Sequence, residues 1–264
     1  MAPLKLLTVV SSSLFFLARA NGDPAPNQTT YNVALGEEGK CLAEVNAARV
    51  AAGFSELTKA TQAASRLPQG GKFPQSEQPK WAWKPVCEAL IPTTEKSRST
   101  SNSEDAADFQ SGTYAYLPID NADSVDCKAV VDKWKEAYTN FDGLPPANKE
   151  EKNLYDNQEN VSFVALYNPS TEATADCRVV TCTKTTPAAG AAAAGGTDST
   201  GQNTETKASA LICMTAPDVL ADKEKAPFTE EQWEQIVTAL EGSASAVAPG
   251  VVGFALAIVG LSML

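Results

Sequence analysis

The apolar positions of this 264-residue chain change their period several times, and each change marks an element. Leu42, Val45, Ala48 and Ala52 recur at helical spacing and predict a helix over residues 39–52. Residues 54–67 continue weakly helical, and residues 68–79, rich in proline and glycine, read as a loop. A helix follows over residues 81–90, entered after Pro79 and ended before Pro92. Residues 93–108 are rich in serine, threonine and charge and predict an exposed loop, after which Tyr114, Leu117 and Ile119 mark a short strand. The clearest helix covers residues 123–141. There Cys127, Val130, Val131, Trp134 and Tyr138 fall on one face, Asp123 or Ser124 can cap the start, and Gly143, Pro145 and Pro146 stop it. Three strand-like runs follow, at residues 161–167, 178–183 and 210–215. Between the last two, residues 185–207 are almost wholly Ala, Gly, Thr, Ser and Asn, and predict a mobile excursion from a hairpin. A last helix spans residues 230–240, opened by a Thr229/Gln232 capping box. It carries a stripe of Trp233, Ile236, Val237 and Leu240 and ends at Gly242.

The two ends follow a different logic. Lys5, an apolar stretch over residues 6–17 and the small residues Ala18 and Ala20 make a secretory signal, with cleavage expected after Ala20. The stretch is too short to cross about 30 Å of hydrocarbon. Residues 21–38 read as a flexible leader carrying the sequon Asn27-Gln28-Thr29. At the other end, residues 242–264 hold no charge, and small residues lead into an apolar tail. That is the layout of a glycosylphosphatidylinositol (GPI) attachment signal, with Gly242, Ser243 and Ala244 as candidate anchor sites. The expected organisation is therefore a signal peptide (1–20), a leader (21–38), an ectodomain (39–241) and a removed anchor signal (242–264). Loss of Lys5 and Arg19 moves the formal charge from −11 to −13, an acidic surface unsuited to nucleic acid.

The cysteine and histidine counts narrow the chemistry. Six cysteines in a secreted chain imply three bridges, with fifteen possible connectivities. There is no histidine, which excludes Ser-His-Asp and Cys-His catalysis and histidine-ligated metals. No glycine-rich phosphate loop is present. Adjacent acidic pairs such as Glu37-Glu38 and Glu230-Glu231 read as solvated faces rather than catalytic carboxylates. Trp81 and Trp83 are candidate binding-surface aromatics, with core packing as the alternative. Asn160-Val161-Ser162 is a second sequon, at the opening of a predicted strand. No cofactor is expected.

Two stretches resemble a known family. Asn46, Arg49, Gly53 and Leu57 match the first-helix spacing of the CAP superfamily (cysteine-rich secretory proteins, antigen 5, pathogenesis-related proteins). Residues 161–167, then Cys177 through Cys182, then Cys213 resemble its closing region, and Trp134 and Tyr138 sit where that family has a helix. The family's paired histidines are missing and Glu136 falls one position early, so its metal cleft is not implied. With a signal, six cysteines, an Ala/Gly/Thr insertion and an anchor tail, the chain is similar to the SAG surface antigens of Eimeria, coccidian parasites. The resemblance implies an α+β fold, a single α-β-α sandwich with a mostly antiparallel sheet. It implies a non-enzymatic surface antigen or adhesin that contributes to host-cell attachment and immune exposure. Its partners would be a host-cell receptor or glycan, antibodies and, through the lipid, the membrane. A CAP-like lipid or sterol carrier is the rival reading and requires an apolar groove beside Trp81 and Trp83. Cys177 and Cys182, five apart in one strand, face opposite sides of the sheet, so either could reach Cys213. The resemblance favours Cys177–Cys213, which leaves Cys87–Cys182 and Cys41–Cys127.

Overall fold

The computed structural model describes residues 29–73, 81–92, 109–187 and 203–245. Its organising feature is a long hairpin, β5 (Thr174–Thr186) and β6 (Thr204–Ala216), paired antiparallel in register from Thr174↔Ala216 to Thr186↔Thr204. β4 (Thr113–Ile119) pairs antiparallel with β6, and β1 (Thr30–Leu35) with β5. The two-residue β3 (Gly71–Lys72) completes the order β3-β1-β5-β6-β4, and β2 (Thr58–Lys59) joins β5 in parallel.

Alternation along these strands builds two cores, one on each face of the sheet. Ala175, Cys177 and Val179 of β5, with Leu211 and Cys213 of β6, enter the first. Val180, Cys182, Ala210, Ile212 and Met214 enter the second. The first core is roofed by α1 (Leu42–Ala51), α3 (Cys127–Glu136), α5 (Gln158–Leu166) and α6 (Glu230–Ser245), with the short α4 (Lys152–Tyr155) beside α5. Phe163 sits at its centre, within 5.1 Å of the Tyr167 ring and 5.4 Å of Phe141. The second core is covered by α2 (Lys84–Leu90) and by Leu67, Trp81 and Trp83. The fold is thus a mixed helix and antiparallel-sheet structure, α+β, closed by three disulfides.

Several elements differ from the sequence reading. Residues 161–167, expected as a strand, lie in α5 and at its end. Asn160, Ser162, Phe163, Val164, Ala165 and Leu166 are all buried, so no polar face remains to print a helical period. The leader is not wholly loose: Tyr31 and Val33 of β1 face the second core while Asn32 and Ala34 point outward. Residues 54–67 hold β2 and one 3-10 turn (Ala63–Ser65) instead of a helix. α3 begins at Cys127, capped by Asp126, whose carboxylate accepts from the Ala129 amide at 3.0 Å, and a 3-10 turn (Ala137–Asn140) continues it. β5 and β6 run into the low-complexity segment, so Thr185 pairs with Glu205 and Thr183 with Lys207. α6 passes Gly242 and ends at Ser245, while its capping box forms as expected at 3.0 and 3.2 Å.

The outer edge of β4 is closed by side chains rather than by another strand. Gln158 Nε2 donates to the Tyr114 carbonyl at 2.7 Å, and Ser162 Oγ accepts from the Tyr116 amide at 3.0 Å. Trp134 Nε1 donates to the Tyr116 carbonyl at 3.2 Å, and Pro118 has no amide to offer. An edge satisfied in this way cannot template pairing with a second chain. At the other edge Gly70 allows the loop before β3 to approach β1: a Cβ there would stand 2.6 Å from the Val33 carbonyl oxygen.

Candidate functional site

The motif at the end of α1 lies beside a groove in the described surface. Arg49 is fully buried, and its guanidinium is spent on backbone. Nε donates to Ser55 O, Nη1 to Leu166 O and Nη2 to Asn168 O, each at 2.9 Å. Desolvation lowers its pKa to about 10, so the group still carries its proton at neutral pH. Asn46 bonds both ways to Leu57, donating to its carbonyl at 3.1 Å and accepting from its amide at 2.8 Å. Between these anchors the chain reverses at Gly53, whose φ of +77° suits glycine. The four residues that carried the resemblance are thus a backbone clamp between α1, the loop to β2 and the end of α5.

Beside this clamp, α1 and α6 leave a groove of about 550 Å³. Ala51, Ala52, Gly53 and Ala239 line it with little side-chain bulk, and the carboxylates of Glu231 and Glu234 stand at its wall. Gln235 of α6 lies close over Gly53, where an added Cβ would meet its side-chain oxygen at 3.3 Å. One residue before the lining, Val50 is 53% exposed, and only Leu144 shares that status among large apolar side chains of the described residues. The periodicity of α1 and α6 points to their buried faces. The groove arises where the end of α1 meets the first turns of α6, which no single-helix pattern registers.

The residues singled out from sequence lie elsewhere. Trp81 and Trp83 are not surface aromatics: both are buried in the second core, and Trp83 Nε1 donates to Gln69 O at 2.9 Å. Trp83 meets Phe109 edge-on at 5.3 Å, so among the described residues these rings pack against one another rather than standing at the surface. Asn160 is 2% exposed, and its side chain is engaged: Oδ1 accepts from Asn140 Nδ2 at 2.7 Å and Nδ2 donates to Leu154 O at 2.8 Å. A glycan on that nitrogen is incompatible with this packing. Asn27 and residues 1–20, expected as a signal peptide, lie outside the described residues, as does the chain beyond Ser245. Gly242, Ser243 and Ala244 fall in the last turns of α6, with Gly242 exposed.

The cysteines join as Cys41–Cys127, Cys87–Cys182 and Cys177–Cys213. Cys177 and Cys213 are direct register partners in the hairpin and face the first core. Cys182, on the opposite face, takes α2 through Cys87. A second polar cluster ties the loop after β2 to the sheet. Buried Asp176 accepts from the Leu67 amide at 3.0 Å and from Arg178 Nε at 2.8 Å. Arg178 reaches Glu38 at 2.7 Å, and Glu38 also takes Arg66. Among the described residues no group of three or more His, Cys, Asp or Glu side chains is placed to hold a metal ion, and no helix is long and apolar enough to cross a membrane.

Comparison with known proteins places this geometry. No solved structure matches the chain. The chain is 28% identical over 273 residues to the sporulated oocyst TA4 antigen of Eimeria tenella, covering 98% of each. The family model described as the sporozoite surface antigen (SAG) protein domain matches residues 37–255, from the turn before α1 through α6 and beyond. The chain belongs to the sporozoite surface antigen (SAG) family.

Proposed function

We propose that this protein is a GPI-anchored parasite surface antigen that works by display and binding, not catalysis, and contributes to host-cell attachment and immune exposure. The observation that carries the reading is the family match across residues 37–255. Two features agree with it. The sequence ends carry a secretory signal and an uncharged, small-to-apolar tail. The three bridges, spanning 86, 95 and 36 residues, suit a body exposed outside the cell. The CAP-like architecture stays part of the proposal: the Asn46/Arg49/Gly53/Leu57 clamp supports it, and the absence of histidine removes the metal chemistry that architecture hosts. The partners proposed are a host-cell receptor or glycan, together with antibodies.

The anchor and the adhesion are tested separately. Phosphatidylinositol-specific phospholipase C releases the protein from intact expressing cells; retention after treatment, with the lipase active on a control anchor, rejects the lipid anchor. For attachment, the protein displayed on beads binds host cells above a bead control, and glycan-stripped host cells tell a glycan from a protein receptor. Equal binding to the protein and the control rejects the adhesin reading.

A further inference from the structure

We propose that the groove between the end of α1 and the start of α6 is a docking site for a cationic, partly apolar peptide segment of a partner. A lysine or arginine of that segment would lay its aliphatic stem on the small-residue floor and its charge against Glu231 and Glu234. The proposal rests on the reading of this protein as a binding surface and names where and what it binds.

Three observations converge on this place. The first is shape. Ala51, Ala52, Gly53 and Ala239 contribute little bulk to a concavity of about 550 Å³, whose other lining residues are Glu231, Glu234, Gln235 and Thr238 of α6. The floor is also held. Arg49 beneath it is fixed to three carbonyls on the α1–β2 loop and the end of α5, and Asn46 pins Leu57. A preformed site binds without an ordering cost. The second is apolar exposure: Val50, next to Ala51 in the chain, is 53% exposed and adds aliphatic surface at the end of α1.

The third is charge. Glu231 and Glu234 line the groove on adjacent turns of α6, both are exposed, and neither takes part in an ion pair or side-chain hydrogen bond among the described residues. Other exposed acids do hold cations, Asp132 through Lys128 and Lys135, Glu136 through Lys133, Glu224 through Lys149, and Glu38 through Arg66 and Arg178, while Glu231 and Glu234 are open to a cation from outside the chain. The chain has a net formal charge of −11, so its long-range field draws in cations and repels anionic partners. An aliphatic stem ending in a cation matches an apolar floor with a carboxylate wall. A neutral apolar ligand would leave both carboxylates without a partner, and an anionic one would be repelled.

The test uses the full-length protein purified from expressing cells and three fluorescent peptides of equal length, read by anisotropy. One alternates Leu and Lys, one Ser and Lys, and one Leu and Glu. The Leu–Lys peptide binds, the Ser–Lys peptide binds at least several-fold more weakly, and the Leu–Glu peptide does not bind. Two variants localise it, each judged on protein whose thermal midpoint matches wild type. The double variant Glu231→Gln, Glu234→Gln weakens the Leu–Lys peptide by about tenfold and flattens its salt dependence, the scale expected for two exposed charges acting together. Ala51→Leu, on the exposed face of α1, fills the hollow and weakens both Lys peptides with the salt dependence retained. Equal binding of the Leu–Lys and Ser–Lys peptides, or wild-type affinity in both variants, overturns the groove. Host-cell binding by beads carrying Ala51→Leu separates the two proposals: binding retained while the peptide site is lost rejects this groove as the adhesive face and leaves the adhesin reading standing.

Discussion

At the scale of single residues, the polar groups that matter here are buried and committed to backbone. Arg49 is the extreme case, with three bonds to carbonyls on two segments. Replacing it with Met keeps much of the volume and strips the donors from Ser55, Leu166 and Asn168, so Arg49→Met is expected to cost about 3 kcal/mol. Urea denaturation of the secreted variant measures the loss, and stability within about 0.5 kcal/mol of wild type would show that the clamp contributes little. The tyrosines supply a pH dependence. Burial raises the pKa of Tyr114, Tyr155 and Tyr167. Their ordinary value is 10.0, so above pH 10 the unfolded chain releases these protons while the folded chain holds them. Stability conferred by the protonated phenols is therefore complete below pH 10 and falls as pH rises above it. Arg49, lowered to about 10, acts in the opposite direction, one group against five, since burial also raises Tyr31 and Tyr116. Urea midpoints between pH 8 and 11 are expected to hold level and then drop, and a flat profile would contradict burial of the phenols.

At the scale of elements, the hairpin β5–β6 is the frame and its connection is expected to be dispensable. The strands remain paired out to Thr186 and Thr204, so the ends of the connecting segment are already adjacent. Its composition offers little apolar area to bury, and shortening a loop changes closure entropy only slowly. Deleting residues 188–201 is expected to leave secretion unchanged and the thermal midpoint within a few degrees. Loss of secretion would reveal packing contributed by the segment. α5 works the other way, because it is buried from Ser162 to Leu166 and closes the edge of β4. Ser162→Val removes the acceptor of the Tyr116 amide and is expected to cost about 1–3 kcal/mol in urea denaturation. An unchanged midpoint would mean that this edge needs no such partner.

At the scale of the whole molecule, two of the bridges join elements far apart in the chain. Cys41–Cys127 joins α1 to α3 across 86 residues, and Cys87–Cys182 ties α2 to the sheet across 95. Loops of this length are worth about 4–5 kcal/mol each in the chain-entropy account, a large part of an ordinary domain's stability. Mass spectrometry of non-reduced peptides is expected to find the three pairs of the structure. A peptide joining Cys182 to Cys213 would exclude the present register, since those side chains face opposite cores.

What could be read without coordinates depended on whether one side of an element meets water. α3, α6 and β4 each keep a solvated face, so their period showed in the chain, as did the Thr229/Gln232 cap. β1 carried a legible alternation of Tyr31 and Val33, hidden by the loop-like composition around it. α5 could not be read, because burial of residues 162–166 erases the polar face that reveals a helix. Its one local signal was the Asn157 cap, whose side chain accepts from the Glu159 amide at 3.0 Å. The two ends, the six cysteines and the absence of histidine come from composition and order, and the sequence alone determined them. Tertiary structure alone decided that Trp81 and Trp83 are core, that Asn160 is closed, and that small residues at two helix ends form a groove. Each depends on which surfaces meet, and residues distant in the chain meet only once the sheet has brought their elements together.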